Sequence, residues 1–448
     1  MRTRTMLPAL LGFCLLAGCG GGGGNNSSIL QTTNNRGNIG SAGAYAITDL
    51  GAETYYYGYY AYPNFGLYRS PGTITLNYST QIVSGTTGRA SIYQNGKLTN
   101  LGTSDYSTAN AINGSGWVVG QAPDSKGNFH ATLWHSGQQI DLGALQTPFE
   151  YSNSNALGIS EIGEIVGESL ANSASYTYHA FLWNNGKMTD LGTLGGDYSL
   201  AVGVNIAQQV VGWSSLPNPS DPYNAPVHAF LWQNGKMTDL GTLPGGSSSD
   251  VSAINENGQI VGSSSVAPQG LYSASNIHAV LWQGGAISDL GTLGGPGSIA
   301  FGINSNGQIV GSANTTVVDN DPPPYFWYYP GGGIGGGNSG NGGAPGGGVG
   351  GGNGSSNSNI PPGSSNANPS PIGGGALGRT VKRTRGIGDT YVTHAFLYQN
   401  GAMTDLNTQI DSSSGWELVQ ATDINDRGQI VGFGILNKRT HAFLLTPR

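Results

Sequence analysis

The chain has 448 residues, of which 77 are glycine and 22 proline, against 2 cysteines and 9% charged residues. Glycine supports positive φ and costs backbone entropy inside helices, so this composition excludes an all-helical protein, and two cysteines exclude a disulfide-stapled one. The 17 basic and 24 acidic residues give a net charge of −7, which provides no general attraction to phosphate backbones. We therefore expect no nucleic-acid partner.

Residues 1–18 have the pattern of a signal peptide. Arg2 and Arg4 precede an apolar run that is too short to cross a bilayer as a mature helix. The run ends in Leu16-Ala17-Gly18-Cys19, which resembles the lipobox of bacterial lipoprotein precursors; a plain secretory signal with a chance cysteine is the alternative. The resemblance implies lipidation of Cys19 and a location in the bacterial cell envelope, anchored by lipid to the outer membrane or the cell surface.

The rest of the chain divides by composition. Residues 19–43 are rich in Gly, Asn and Ser and predict a flexible tether to the lipid anchor. Residues 44–448 predict one folded domain. Within it, residues 312–390 predict a largely disordered insert. Its central part, residues 330–378, is rich in Gly, Pro, Ser and Asn with almost no charge and cannot bury enough apolar surface to fold.

The first of two repeated signatures is His-Ala-Phe-Leu-Trp-x-x-Gly-Lys-Met-Thr-Asp-Leu-Gly, at His179–Gly192 and again from His228. Variants begin at Arg89, His130, His278 and His394. In every copy the first residue stands eleven positions before an Asp or Asn. Apolar alternation on both sides of x-x-Gly predicts two strands joined by a type I turn, with the glycine in the left-handed region.

The second signature is Ile-Asn-x-x-Gly-Gln-Ile-Val-Gly, at Ile254–Gly262, Ile303–Gly311 and Ile424–Gly432. Degraded copies begin at Leu76, Ile112, Ile159 and Val204. The pattern predicts a second hairpin, in which Asn hydrogen-bonds its own backbone and the first Gly ends the turn.

The ends of the chain indicate a closed ring. A half-hairpin at residues 46–51 opens the array, and its missing partner, His441–Leu445, closes the chain. Counting that joint unit, each strand type occurs seven times, and a split unit favours a ring over an open stack. The sequence therefore predicts an all-β protein: a seven-bladed β-propeller of four-stranded antiparallel blades, closed by the N-terminal strand pairing with the C-terminal blade. We expect a monomer.

These motifs resemble the HAF-repeat family of bacterial extracellular proteins, over residues 46–311 and 392–446. The resemblance implies secretion or surface display and a repeat-built β structure. It brings no established reaction and no catalytic residues. The chain departs from the pattern at Arg89, which replaces the first histidine, and in the long insert after Gly311.

Histidine and aspartate recur at fixed positions of the first signature. A metal site is not predicted, because ligands of one metal must converge whereas repeat-equivalent residues lie apart on a ring. Where the histidine becomes Arg89, the aspartate becomes Asn100, which favours a structural hydrogen bond or ion pair within each blade. The predicted pairs are His130–Asp141, His179–Asp190, His228–Asp239, His278–Asp289, His394–Asp405 and His441–Asp49.

The connections between hairpins vary in length, whereas the turns within hairpins do not. We expect the variable connections to share one face, which is the candidate binding face. Two aromatic clusters fall there and suit sugar or peptide surfaces, with packing over the propeller as the alternative. The candidate binding aromatics are Tyr55, Tyr56, Tyr57, Tyr59, Tyr60, Tyr62, Tyr325, Trp327 and Tyr328.

No recognisable catalytic motif appears in the sequence, so no catalytic residue and no cofactor is predicted. The favoured function is a lipid-anchored binding or scaffold module for protein or carbohydrate. The alternative is a propeller enzyme acting on an extracellular polysaccharide, as a hydrolase or lyase, with carboxylates converging at the variable connections. The acids considered for that role are Asp105, Glu150, Glu161, Asp197 and Asp250.

Overall fold

The structure is a computed structural model that describes residues 43–52, 74–84, 89–102, 106–145, 152–172, 177–218, 225–266, 277–319 and 390–448. These residues form 28 β-strands and two short 3₁₀ helices, Leu406–Gln409 and Ser412–Ser414. The predicted signal peptide, Cys19 and both aromatic clusters lie outside the described residues. Among the described residues, no helix is long and apolar enough to cross a membrane.

The strands pair in seven antiparallel sheets of four, which we number as blades. Blade 1 contains β2 (Thr75–Leu76), β3 (Ile82–Ser84), β4 (Ser91–Gln94) and β5 (Lys97–Asn100). Blade 2 contains β6 (Thr108–Ile112), β7 (Val118–Pro123), β8 (Phe129–His135) and β9 (Gln138–Asp141). Blade 3 contains β10 (Ser154–Ile159), β11 (Ile165–Asn172), β12 (Thr177–Asn184) and β13 (Lys187–Asp190).

Blade 4 contains β14 (Ser199–Val204), β15 (Val210–Ser215), β16 (Val227–Gln233) and β17 (Lys236–Asp239). Blade 5 contains β18 (Ser249–Ile254), β19 (Ile260–Ser265), β20 (Ile277–Gln283) and β21 (Ala286–Asp289). Blade 6 contains β22 (Gly294–Ile303), β23 (Ile309–Asp319), β24 (Thr390–Gln399) and β25 (Ala402–Asp405). Blade 7 contains β26 (Trp416–Ile424), β27 (Ile430–Leu436), β28 (Arg439–Pro447) and β1 (Tyr45–Ala52).

The seven sheets close into a ring. The first strand of every blade contacts the first strand of the next, and β26 of blade 7 contacts β2 of blade 1. The N-terminal strand β1 pairs with β28, so that Asp49 lies opposite Phe443. The predicted seven-bladed β-propeller and its closure by the N-terminal strand are therefore confirmed.

The two faces of the ring differ in their connections. Turns between the first and second strands, and between the third and fourth, lie on one side because successive strands are antiparallel; we call this side the tight-turn face. The other connections lie on the variable face. The turn after β12 has two residues, Asn185 and Gly186, both with positive φ (50° and 81°). The predicted type I turn is thus wrong, since positive φ at both positions defines a type I′ turn, which matches the twist of the strands.

The apolar core lies between the blades. Phe181, Phe230, Phe396 and Phe443 occupy one repeat position on the third strands and are fully buried. Phe181 of blade 3 packs in one cluster with Val119 of blade 2, and the other three phenylalanines likewise pack against the preceding blade. The ring is held by these interfaces rather than by a core within each sheet.

The last glycine of the second signature faces a bulge in the first strand. In blade 5, β18 bulges between Val251 and Ala253, opposite Gly262 of β19. A Cβ on Gly262 would lie 2.0 Å from the carbonyl oxygen of Asp250. The glycine recurs because the bulged strand leaves no room for a side chain.

One predicted boundary shifts in blade 6. Strand β23 continues to Asp319, and β24 begins at Thr390. The strands therefore extend into both ends of the predicted insert 312–390, and residues 320–389 lie outside the described part of the chain.

Candidate functional site

The repeated histidines and aspartates meet at the variable face, where each third strand begins and each fourth strand ends. In all six pairs the histidine Nδ1 lies 2.6–2.9 Å from a carboxylate oxygen of the aspartate on the neighbouring strand. We call these the outer pairs. Their histidine side chains are 9–25% exposed. A carboxylate at this distance fixes the imidazole tautomer with its proton on Nδ1.

Each aspartate of an outer pair also holds the turn that follows its strand. Asp190 accepts a hydrogen bond from the backbone N–H of Gly192, two residues on. Asp49 of blade 7 does the same with Gly51, so the closing blade repeats the arrangement. One carboxylate thus orients a histidine and caps a turn, which is sufficient structural reason for both residues to recur.

Blade 1 replaces the pair with a different contact. Asn100 Oδ1 accepts a hydrogen bond from Ser91 Oγ at 3.1 Å. Ser91 Oγ also lies 3.1 Å from the carbonyl oxygen of Arg89. Asn100 therefore still links the third and fourth strands through an uncharged group.

The outer pairs do not converge on a ligand. Among the described residues, no group of three His, Cys, Asp or Glu side chains is placed to hold a metal ion. His130 Nε2 instead lies 3.0 Å from Ser152 Oγ. The seventh histidine, His135, packs against the Trp117 ring with centroids 4.2 Å apart.

A second set of polar contacts surrounds the central axis at the tight-turn face. The asparagine of the second signature accepts hydrogen bonds from its own turn, as predicted: Asn255 Oδ1 accepts from the N–H groups of Asn257 and Gln259. Its Nδ2 also donates to the Asn304 carbonyl of the next blade, at 2.9 Å. This second use was not predicted, because it joins residues that are far apart in the chain.

The inter-blade asparagine bond recurs around the ring. Asn77, Asn113, Asn205, Asn255, Asn304 and Asn425 each donate Nδ2 to the backbone carbonyl of the equivalent residue in the next blade, at 2.9–3.2 Å. We call this the inner ring. All six side chains are buried. The missing member is Ser160 of blade 3, whose hydroxyl accepts from Glu164 N instead.

A serine near the start of the first strand also joins neighbouring blades. Ser249 Oγ of blade 5 accepts from Ala229 N of blade 4 and donates to the Gly241 carbonyl. Ser154, Ser199 and Ser298 make the same pair of contacts. The sequence carried a signal for this contact, since each serine stands five positions before the first residue of the second signature.

Among the described residues, the acids considered for catalysis lie on different elements of the fold. Glu161 lies in the turn after β10, on the tight-turn face, and not on a variable connection. Asp250 belongs to strand β18, whereas Asp197 lies exposed in the connection before β14. Asp105 and Glu150 lie outside the described residues. The expectation that Glu161 and Asp250 belong to the variable connections was wrong, because both are parts of the regular blade.

Burial raises the pKa of two carboxyls to about 7. Burial raises the pKa of Glu168, on β11, from 4.5 to about 7. Burial also raises the pKa of Asp250 to about 7, against a hydrogen bond from Val251 N that lowers it. Asp250 is partly exposed by surface area, although its Oδ1 is buried and has no hydrogen-bond partner. Glu168, which is only 9% exposed, is the more firmly buried of the two.

The fold defines the protein as a seven-bladed β-propeller built from an internal repeat. No protein-family model and no curated protein matches the sequence. Similar solved structures include TolB from Acinetobacter baumannii, with a TM-score of 0.32 and 13% identity over 56% of each chain. Another is the acylaminoacyl peptidase of Pyrococcus horikoshii, with a TM-score of 0.33 and 10% identity over 54% of this chain and 41% of that one. The chain thus spans about half the length of the structures it matches.

Proposed function

We propose that the protein is a lipid-anchored binding or scaffold module of the bacterial cell envelope, of the HAF-repeat type, whose variable face recognises protein or carbohydrate. One observation carries the proposal: the recurring polar residues are engaged with one another, while the connections at the variable face differ from blade to blade. Residues 191–198 join blades 3 and 4, for example, whereas residues 406–415 with two 3₁₀ helices join blades 6 and 7. A rigid ring with unequal loops on one face favours recognition of a partner.

Binding is tested with the soluble fragment 44–448, which retains every described strand. We expect it to bind a subset of a glycan and peptide array, and we expect serine replacement of Tyr55, Tyr56 and Tyr57 to abolish binding. Tyr78→Ser is the matched control, because Tyr78 is 47% exposed in a turn of the tight-turn face. Loss of binding in the control alone, or turnover of a polysaccharide without binding, contradicts the proposal.

Lipid anchoring is tested with the full chain in a bacterial host. Cys19→Ser should abolish incorporation of a labelled fatty acid and release the protein from the membrane fraction. Cys14→Ser is the control, since Cys14 lies within the predicted signal peptide. Fatty-acid labelling that survives Cys19→Ser contradicts lipidation at that residue.

An enzyme acting on an extracellular polysaccharide is the alternative, and the raised pKa of Asp250 is the observation that favours it. A carboxyl that stays protonated near neutral pH has the property of a general acid. Asp250→Asn should then abolish polysaccharide turnover with the fold intact. Unchanged turnover in that variant eliminates Asp250 as the acid.

A further inference from the structure

The inner ring has one gap, and it lies between blades 3 and 4. Ser160 stands where the other blades have asparagine, so no side-chain amide reaches the Asn205 carbonyl of blade 4. A second inter-blade contact, which joins blades 2 and 3, 4 and 5, and 6 and 7, is also absent at this point. Glu256 of blade 5 accepts from the Ile206 N–H of blade 4, but the equivalent residue of blade 4 is Ile206 itself, which has no acceptor to offer blade 3.

A substitute bond spans the gap. Gln208 of blade 4 donates from Nε2 to Glu164 Oε1 of blade 3, which also accepts from Asn184 Nδ2. Gln208 adopts a φ of 55° at the position where blade 5 has Gly258, so a non-glycine residue occupies the left-handed region there. The second oxygen of Glu164 is buried and has no hydrogen-bond partner. This link is therefore a buried, half-satisfied carboxylate rather than a neutral amide.

A second carboxyl lies in the same interface. Val166 and Ala180 of blade 3 pack against Ala201 of blade 4. Glu168 follows Val166 by two residues on β11 and lies opposite Ala180, so its side chain is on the face turned toward blade 4. The equivalent positions in blades 2, 4, 5, 6 and 7, opposite the alanine of the third strand, are uncharged: Gln121, Trp213, Ser263, Ser312 and Phe433.

The elements packed against β11 place no cation on that face. Strands β10 and β14 contain no titratable residue. Strand β12 contributes Tyr178 on the same face and His179 on the opposite face, where His179 pairs with Asp190. Tyr198, just before β14, is buried in the neighbouring cluster. Ionised Glu168 would thus be a buried charge with no counter-ion among these strands.

We propose that the interface between blades 3 and 4 is the point at which the ring opens, and that deprotonation of Glu168 promotes the opening. The missing asparagine bond lowers the cost of separation, and the buried carboxyl makes that cost depend on pH. The raised pKa of Glu168 gives the direction in which the stability of this interface changes with pH. Its contribution to folding is complete below pH 4.5, declines as the pH rises, and is lost above about pH 7.

The test is hydrogen exchange of the full chain, followed by mass spectrometry at pH 5.5 and pH 8.0 and corrected for intrinsic rates. We expect peptides from β11, β12 and β14 to lose protection by roughly tenfold to thirtyfold between the two pH values. Peptides from the interface of blades 5 and 6, with its asparagine bond, should change less. Equal change at the two interfaces overturns the proposal.

Three variants separate the two causes. Glu168→Gln keeps the side-chain size and should remove the pH dependence at the interface of blades 3 and 4. Ser160→Asn should restore the inner-ring bond and slow exchange at both pH values, leaving their ratio unchanged. Asp250→Asn removes the other carboxyl that titrates near pH 7 and should leave this interface as it is in the wild type. An interface that responds to Asp250→Asn and not to Glu168→Gln overturns the assignment to Glu168.

Discussion

The inner ring and the outer pairs are both built from polar residues that recur from blade to blade, yet they connect different parts of the fold. An asparagine of the inner ring is buried and donates to the next blade, so it ties the ring together. An outer pair is partly exposed and joins two strands of one blade. Since a buried unsatisfied group costs more than an exposed one, the inner ring should be much less tolerant of substitution. Blade 5 contains both features, so their contributions to stability can be compared within a single blade.

The largest loss of stability is expected from adding one methyl group at the glycine that faces the bulge of β18. Gly262→Ala places a Cβ 2.0 Å from the Asp250 carbonyl oxygen and 2.8 Å from the Val251 Cα, and both obstacles are backbone. We expect a loss of about 3 kcal/mol in the free energy of unfolding, measured by denaturant titration.

Gly285→Ala is the matched change at the periphery. Gly285 has a φ of 81° and no atom within 4 Å of an added Cβ, so only backbone strain opposes the alanine. The expected loss is about 1 kcal/mol. Equal losses at the two glycines would show that the bulge opposite Gly262 relaxes easily and is no more rigid than the peripheral turn at Gly285.

Removing one asparagine of the inner ring comes next. Asn255→Ala deletes a donor to the Asn304 carbonyl and an acceptor for two turn N–H groups. We expect destabilisation by about 2–3 kcal/mol, because the bond to the Asn304 carbonyl is buried. In the same blade, His278→Gln should cost about 1 kcal/mol or less, because the Asp289 side chain is 41% exposed and water can replace the histidine. A larger effect at His278 would reverse the ranking.

The serine contact should rank between these two. Ser249→Ala removes the acceptor of Ala229 N and the donor to the Gly241 carbonyl, across the interface of blades 4 and 5. The expected loss is about 1–2 kcal/mol in thermal or denaturant unfolding. Ser413→Ala is the control, because the Ser413 hydroxyl binds only the nearby Asp411 carboxylate in an exposed turn.

Much of the fold could be predicted from the sequence because it depends on spacing. The interval from His179 to Asp190 recurs in six blades, and the split hairpin at the chain ends, which forms the seventh, indicates closure. The simultaneous change to Arg89 and Asn100 favoured pairing of the two positions. The hairpin turn was predicted wrongly although Asn185-Gly186 is a strong signal for type I′.

The contacts between blades were harder to predict because they depend on the ring itself. Asn304 donates to the Asn425 carbonyl, 121 positions away, and no local pattern shows that the two turns meet. Glu168 lies in a strand where alternation would permit an exposed acid, and its burial follows only from the packing of blade 4 on blade 3. The aromatic clusters that carry the binding hypothesis lie outside the described residues, so that hypothesis stays a prediction.

The smallest expected effect is a shift in the pH at which the outer pairs stop stabilising the fold. Burial raises the pKa of Asp190, but hydrogen bonds from His179 and Gly192 and the charge of His179 outweigh it, so the pKa is lowered from 3.8. A lowered carboxyl pKa stabilises the fold at pH values above the ordinary pKa of the group. This stabilisation is lost as the pH falls through the folded-state pKa. His179→Gln should therefore move the acid-unfolding midpoint, followed by circular dichroism, to higher pH.

The pH window distinguishes this effect from the one at Glu168. The pH dependence of stability that His179→Gln removes lies below about pH 4, whereas the pH dependence that Glu168→Gln removes lies between pH 4.5 and 7. His394→Gln is a second test in blade 6. Burial raises the pKa of Asp405, but hydrogen bonds from His394 and Asn407 and the charge of His394 outweigh it, so this pKa is also lowered. If both histidine variants unfold in acid at the wild-type midpoint, the outer pairs contribute no charge-dependent stability, and their recurrence reflects the turn that each aspartate caps.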